Sequence, residues 1–382
     1  MKKVTIRKVE NKRDLRDFIE FHYDLYAGNR FDAPNLFSDD MRTLSKGSNA
    51  AFDFCDAEYF LALDERGKVC GRVAAIINRS ANEKWQRKSV RFGWIDFVDD
   101  YEVSAALLEA VENYGRQHGM TEIIGPLGFT DMDPEGMLIE GFDQLGTMAT
   151  IYNYPYYQRH MEALSGYVKD NDYVEWKVYI PEKIPERLVK ISEMIQQRYN
   201  LHVKKVTKED VFNGDYGKRI FDVVNATFKD LYGYSKLTDR QIDQYVKMYF
   251  PMIDLNLVTL IEDRNADNKV VGIGITLPSL TRALQKCRRG RLFPFGWWHV
   301  LRAIKFHKTK VVDLLLVGVL PEYRSKGANA LLFYDLIPYY QKYGFEWGES
   351  HVEMEMNSGV QNQWQYFDSE LHKRRRCYKK NL

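Results

Sequence analysis

The residues best suited to chemistry lie between Leu314 and Leu336, in LLLVGVLPEYRSKGANALLFYDL. An apolar run stops at Pro321, passes through a short basic turn, and resumes with apolar residues at helical spacing. A helix that opens straight after a strand leaves its first backbone N–H groups without partners, and its dipole adds positive potential there. Such a turn favours phosphate. Arg324 and Lys326 add charge to it, and Gly327 permits positive φ or close backbone approach. The turn is neither G-x-x-x-x-G-K-[ST] nor G-x-G-x-x-G, which disfavours a mononucleotide or dinucleotide fold. A plain connection between a buried strand and its covering helix is the competing reading.

Two further stretches carry chemistry. Residues 125–167 contain glycines at 125, 128, 136, 141 and 146 and prolines at 126, 134 and 155, the composition of a long shaped loop. Its acids are Asp131, Asp133, Glu135, Glu140 and Asp143, and its aromatics are Tyr152, Tyr154, Tyr156 and Tyr157. An acidic, tyrosine-lined pocket suits a cationic amine, with Asp131, Asp133, Tyr152, Asn153 and Tyr154 as the expected contacts. A solvated acidic loop held down by tyrosines is the alternative. The run DMDPEG lacks the full calcium-loop pattern, so no metal is expected.

Residues 278–310 form an insertion in which Arg282, Lys286, Arg288, Arg289, Arg291, Arg302, Lys305, Lys308 and Lys310 alternate with Phe293, Phe295, Trp297, Trp298 and Phe306. It reads as a packed helical insertion with a solvated basic face, as a holder for an acyl chain or phosphate groups, as a peripheral membrane contact through 287–308, or as an RNA-stacking surface.

The elements that must position these residues recur. VTIRKV, DLRDFIEFHYDLY, the hairpin of EYFLALD and KVCGRVAAIINR, VRFGWIDFV, EVSAALLEAVENYGRQHG and TEIIGPLGF read as strand, helix, hairpin, strand, helix and strand. The order returns in HVKKV, YGKRIFDVVNATFKDLY, the hairpin of LNLVTLIED and KVVGIGITL, VVDLLLVGVL, ANALLFYDLIPYYQKYG and EWGESHVEMEM. Two domains follow, 1–180 and 181–382, divided where IPEKIP interrupts both patterns. The corresponding junction of the first half, IDFVDDYEVSAALL, carries Asp99, Asp100 and Glu102 and no glycine, so a degenerate cofactor site is expected there. Like charges at close range cost a pyrophosphate on the order of 1 kcal/mol or more each.

The totals agree with two soluble domains. The 382 residues are 45% hydrophobic and 28% charged, and the formal charge of +2 makes no case for DNA. Cys55, Cys70, Cys287 and Cys377 lack metal or disulfide spacing, and no apolar run approaches a membrane span. A cytoplasmic chain without a leader is the expectation.

The second half resembles the acyl-CoA N-acyltransferases of the GNAT superfamily, whose fingerprint V-x-P-x-x-R/Q-x-x-G-x-G/A is met by Val319, Pro321, Arg324 and Gly327. The resemblance implies a mixed α/β fold with two such domains in tandem. It implies that the backbone of Arg324, Ser325, Lys326, Gly327, Ala328 and Asn329 holds the CoA pyrophosphate, and that Leu316, Val317 and Val319 pair with the pantetheine arm. Asn357 stands where the family has its post-strand Asn. Asn329 departs from the fingerprint, which asks for Gly or Ala, and its bulk implies looser phosphate binding. Glu355, with Glu353 nearby, is the expected base, and Tyr366 is the expected donor to the leaving sulfur. The run GPxxFxxxDPxGxLxxGFD, matched from Gly125 to Asp143, is similar to one in bacterial tandem acyltransferase-like proteins. The implied reaction is acyl transfer from acyl-CoA to a small-molecule amine. A fold retained only for binding, or an aminoacyl-tRNA-dependent transferase of the same tandem plan, are the alternatives.

Overall fold

The computed structural model describes residues 4–361 and 363–382. Among these residues, fourteen strands make one sheet. They are β1 (Thr5–Lys8), β2 (Cys55–Leu63), β3 (Val69–Asn78), β4 (Ser89–Phe97), β5 (Glu122–Gly125), β6 (Met137–Glu140), β7 (Val168–Tyr179), β8 (Leu201–Lys204), β9 (Val258–Asp263), β10 (Lys269–Pro278), β11 (Val311–Val319), β12 (Trp347–Ser350), β13 (Glu353–Met354) and β14 (Ser369–Asn381). The helices that matter for the site are α1 (Lys12–Leu25), α2 (Tyr101–Gln117), α3 (Tyr156–Ala163), α4 (Glu186–Tyr199), α5 (Tyr216–Thr227), α6 (Asp239–Tyr249), α7 (Gly296–Phe306) and α8 (Asn329–Tyr343).

The strand order is β1-β2-β3-β4-β5-β14-β7-β12-β11-β10-β9-β8. β1 to β5 and β8 to β12 repeat one plan, three antiparallel pairings followed by a parallel pair. The chain turns at 180–185 as its prolines require, but the strands on either side are exchanged. β7, from the first half, pairs with β12 of the second, and β14, from the second, pairs with β5 of the first. Neither half completes its sheet with its own strands. β7 and β14 pair with each other at the centre, Ser369 opposite Val178 through to Lys379 opposite Val168.

Two apolar cores flank this seam. In the first half α2 packs Val103, Leu107, Leu108 and Val111 on β3 and β4. In the second, α8 packs Leu331, Leu332, Leu336 and Ile337 on β9, β10 and β11. The spacing of these residues is the helical one read from the sequence.

Candidate functional site

β11 and β12 are parallel neighbours only from Val311 opposite Trp347 to Leu314 opposite Ser350. Beyond that they diverge. β12 gives way to β13, which follows β7, Glu353 opposite Val174 and Met354 opposite Tyr173. The remainder of β11 keeps β10 on one side, Val319 opposite Gly272 and Val317 opposite Gly274. Among the described residues, nothing pairs with the backbone of Leu315–Val317 on its other side. This part of an otherwise buried strand is half-exposed at Leu315, Leu316 and Val317. An unpaired strand edge is a template for an extended ligand carrying amide groups.

The turn that follows ends at the same opening. Gly327 has φ +78°, in the left-handed region, and a Cβ there would meet Ile195 and Ile191 of α4 at 3.5 and 3.6 Å. α8 opens at Asn329 with no side-chain cap, and among the described residues the N–H groups of Ala328 and Asn329 donate to nothing. Asn329 is half-exposed, and its side chain makes no hydrogen bond, so it does not cap the helix itself. The unpaired donors at this turn are therefore backbone N–H groups. The basic side chains of the turn are committed elsewhere. Arg324 donates through Nε to Val319 O at 3.0 Å, and the Lys326 ammonium lies 4.2 Å from the centre of the Tyr323 ring. Ser325 and Ala328 contribute main chain. Beside the turn, a groove of about 560 Å³ runs along α5 between Lys229, Arg219, Lys269 and Leu320.

The first half closes the equivalent opening with its own chain. β4 and β5 part after Arg91 opposite Ile124. Leu127 N–H then donates to Phe92 O, Tyr157 Oη accepts Phe97 N–H at 3.0 Å, and Tyr156 Oη–H donates to Phe97 O at 2.6 Å. Gly93 has no room for a side chain, since a Cβ there would lie 2.4 Å from Leu127 O. Asp100 caps α2 by accepting Glu102 N–H, and Asp99 pairs with His160 and Arg159. Beneath the closure, Asp96 accepts from Arg72, Tyr26 and Tyr157 and faces His22 Nδ1 at 3.0 Å. Burial disfavours the His22 cation, yet Asp32 and Asp96 outweigh burial and lift its pKa to about 10. The cluster is an internally neutralised plug.

The loop after β5 separates into two groups. Asp131 and Asp133 meet Glu135 beside Arg91, whose guanidinium is spent on Gly128 O and Gly233 O. Burial pushes Asp133 up to about 6, and it raises Asp131 well above the carboxylate range with help from Glu135. Asp131 Oδ1 is buried and accepts from no donor. Tyr152, Asn153 and Tyr154 lie elsewhere, around Tyr26 and Leu138. Asn153 pairs with the Leu138 backbone in both directions, and the Tyr152 and Tyr154 hydroxyls donate to Phe142 O and Leu25 O. These three hold the loop together.

At the end of β12, Glu355 forms ion pairs with Lys169 at 2.9 Å and with Arg374. The Lys169 hydrogen bond holds its carboxyl below the usual range, which makes it a weak base. Tyr366 is half-buried with the Arg187 guanidinium 4.8 Å from its ring centre, while Trp364 takes the buried place against Phe333. Asn357 N–H donates to Met354 O, and its carbonyl starts the next short helix.

Two other groups at this strand end have the perturbed ionisation that proton transfer needs. His351 follows the last laddered residue; burial pushes its pKa down, and its ring lies in the field of Glu175 and Arg375. Burial pushes Glu353 up to about 8, with Oε1 accepting from the Trp364 indole at 2.9 Å and Oε2 left without a donor. Glu353 was visible in the sequence as Glu355's neighbour. His351 carried no signal except its place where β12 stops.

Next to His351 lies a buried charged seam. Lys373 Nζ sits 3.1 Å from Glu175 and 2.5 Å from Glu349, Arg375 pairs with Glu175, and Glu349 also meets His372 Nε2 at 2.5 Å. Asp313, opposite Glu349 in register, has both carboxyl oxygens buried without a hydrogen bond, and burial with Glu349 pushes it up to about 8. Among the described residues no group of three or more His, Cys, Asp or Glu could hold a metal, and no helix is long and apolar enough to cross a membrane.

A repeated β-plan, one splayed parallel pair in each half and a helix N-terminus at the second splay define the tandem GNAT fold. Over 99% of its length the chain is similar to a tandem GNAT protein from the clavulanic acid biosynthesis pathway, with a TM-score of 0.57, 10% identity and 98% of that chain covered. It is similar in the same way to a GCN5-related N-acetyltransferase from Sphaerobacter thermophilus, with a TM-score of 0.53, 12% identity and 95% of that chain covered. Among curated sequences, Protein YghO of Escherichia coli K12 is 26% identical over 99% of this chain and 95% of its own length. The bacterial ceramide synthase of Caulobacter vibrioides is 26% identical over 86% of this chain and 84% of its own length. No protein-family model matches the chain.

Proposed function

We propose that this chain transfers an acyl group from acyl-CoA to an amine, with the thioester held in the second half. The observation that carries the reading is the contrast between two equivalent edges. The β4 edge is closed by Leu127, Tyr156 and Tyr157, whereas the β11 edge at Leu315–Val317 is open and leads to the uncapped start of α8. A pantetheine arm supplies amides for that edge, and a pyrophosphate suits the free N–H groups of Ala328 and Asn329.

Proton transfer falls to two groups whose environments drive their pKa values apart. His351, neutral at pH 7, takes the proton from the attacking amine. Glu353, protonated at pH 7, gives one to the sulfur as the C–S bond breaks and the C–N bond forms. The two protons exchange with water afterwards, so the site resets. Glu135, beside Tyr173, which pairs with Met354 of β13, gathers with Asp131 and Asp133, and a cationic amine brought there would draw off the protons that burial favours on them, which supports a cationic acceptor. Ceramide is an N-acylated long-chain amine, so the name of the Caulobacter relative supports including amphiphilic amines among the acceptors.

Calorimetric titration with CoA, and thiol release from acyl-CoAs over an amine panel, test the reading. Gly327→Trp is expected to weaken CoA binding at least tenfold, and unchanged binding would remove the cradle. kcat/KM should fall on the acid side, below the ordinary histidine range, as His351 protonates, and above about pH 8 as Glu353 ionises. His351→Asn should lose the acid limb together with about 10²-fold or more in rate. CoA binding without thiol release for any amine points to a binding protein. Activity that needs charged tRNA, without CoA affinity, points to the tRNA-dependent class.

A further inference from the structure

From Asn268 to Val312 the sequence contains no acid, and within this stretch lies the largest concentration of exposed aromatic surface in the described chain. Phe293 and Phe295 are 79% and 74% exposed, and Trp297, Trp298 and Phe306 are also exposed. Three of them are contiguous, since Trp297 and Trp298 meet edge to face at 5.8 Å and Trp298 meets Phe306 at 6.3 Å. α7 turns its largest apolar side chains to the outside. Gly296, Ala303 and Ile304 are buried beneath it, while Trp297, Trp298, Arg302, Lys305 and Phe306 share the outward face.

The cations of the insertion are of two kinds. Arg289 and Arg291 point at the first half, where they pair with Asp24 and Glu20 of α1. Gly290 has no room for a side chain, with Tyr23 Oη 2.2 Å from where a Cβ would sit, so the base of the insertion is fixed on α1. Lys286, Arg288, Arg302, Lys305 and Lys308 are exposed and, among the described residues, have no acidic partner. Five free cations ring an exposed aromatic surface on a rigid base.

We propose that the 288–308 insertion docks the protein on a phospholipid membrane rich in anionic headgroups. Aromatic rings settle at headgroup depth, because they are amphipathic and lose little entropy there, while the flanking lysines and arginines meet the lipid charges. A partner protein or a second copy would need to supply both acids and an apolar recess. A bilayer interface supplies both over any area. RNA would also meet the charge, but it would leave the side of Phe293 and Phe295 without an apolar medium.

The test is flotation of the full chain with vesicles of phosphatidylcholine, with and without phosphatidylglycerol. Binding is expected only to the vesicles containing phosphatidylglycerol. Arg302→Gln with Lys305→Gln should weaken partition about thirtyfold, from the usual contribution of a basic residue near an anionic surface. Phe293→Ser with Phe295→Ser should weaken it at least tenfold. Brominated acyl chains should quench tryptophan emission in the wild type, and the quenching should vanish in Trp297→Phe/Trp298→Phe. All of these positions are exposed, and unchanged melting temperatures check that the variants fold. The proposal is overturned by equal binding to both vesicle types, by no binding, or by binding that the aromatic substitutions leave intact. Concentration-dependent dimerisation abolished by the same substitutions, without vesicle binding, also overturns it, as does retention on RNA but not on vesicles.

Discussion

Replacing Lys373 with Met tests whether the exchanged strands hold the two halves together as one folding unit. The Lys373 side chain is 1% exposed, and its ammonium lies between Glu175 at 3.1 Å and Glu349 at 2.5 Å. Methionine nearly preserves the volume and removes only the charge. Glu175 keeps Arg375, but Glu349 is left with His372 alone. Breaking a buried pair by removing one partner costs about 3–5 kcal/mol, a large part of the roughly 5–15 kcal/mol by which domains are stable. The assay is equilibrium urea unfolding followed by circular dichroism, with hydrogen exchange read at β5 and β12, the strands that border the exchanged pair. Both strands should lose protection by the same amount, because β14 and β7 connect them. Lys373→Met with Glu349→Gln should recover about 1–3 kcal/mol by removing the orphaned charge. A cost below about 1 kcal/mol, or a loss of protection confined to one side of the seam, would refute the reasoning.

Two further outcomes follow from the same geometry. Asp313 keeps its proton in the folded chain up to about pH 8, whereas the unfolded chain releases it near pH 4, so this residue costs more stability as pH rises between those values. Asp313→Asn mimics the protonated acid; thermal melts should show little change at pH 4 and a gain of a few kcal/mol at pH 8, and a gain that does not grow with pH counts against this account. Tyr157→Phe leaves the Phe97 N–H buried without an acceptor, at a cost of about 1–3 kcal/mol by urea unfolding, while CoA affinity in the second half stays unchanged. A lost affinity would place the cofactor in the wrong half.

The alternating and helical apolar patterns made β1 to β5, β8 to β12 and the helices α1, α2, α5 and α8 legible in the sequence, because each buries one face against its own neighbours. Val319, Pro321 and Gly327 marked the turn for the same reason, since a tight strand-to-helix junction restricts residue types locally. The central strands escaped. KDNDYVEWKVY and SELHKRRRCYKKN are dense in charge, yet they are the middle of the sheet. Their charges are complementary across some 200 residues, Asp172 to Arg376, Glu175 to Lys373 and Arg375, and Asp170 to Lys379. An acidic strand and a basic strand of similar length were the available signal. The ionisation states at the end of β12 escaped for a different reason. Ionisation depends on burial, and nothing in the string distinguishes Glu353 from Glu355 until one meets Trp364 and the other meets Lys169.

The exchanged seam also sets the order in which the molecule can be made. β5 is complete at Gly125, but the strand that covers its edge begins only at Ser369, roughly 240 residues later. At about 5–20 residues per second, a ribosome leaves that edge bare for roughly 12 to 50 seconds. During that interval the nascent first half presents an unpaired strand to its neighbours on the polysome. The basic character of β14 matches the acids already displayed on β7, so this late segment finds a charged berth waiting for it. Overproduction that outruns this threading step should yield aggregates joined through β5.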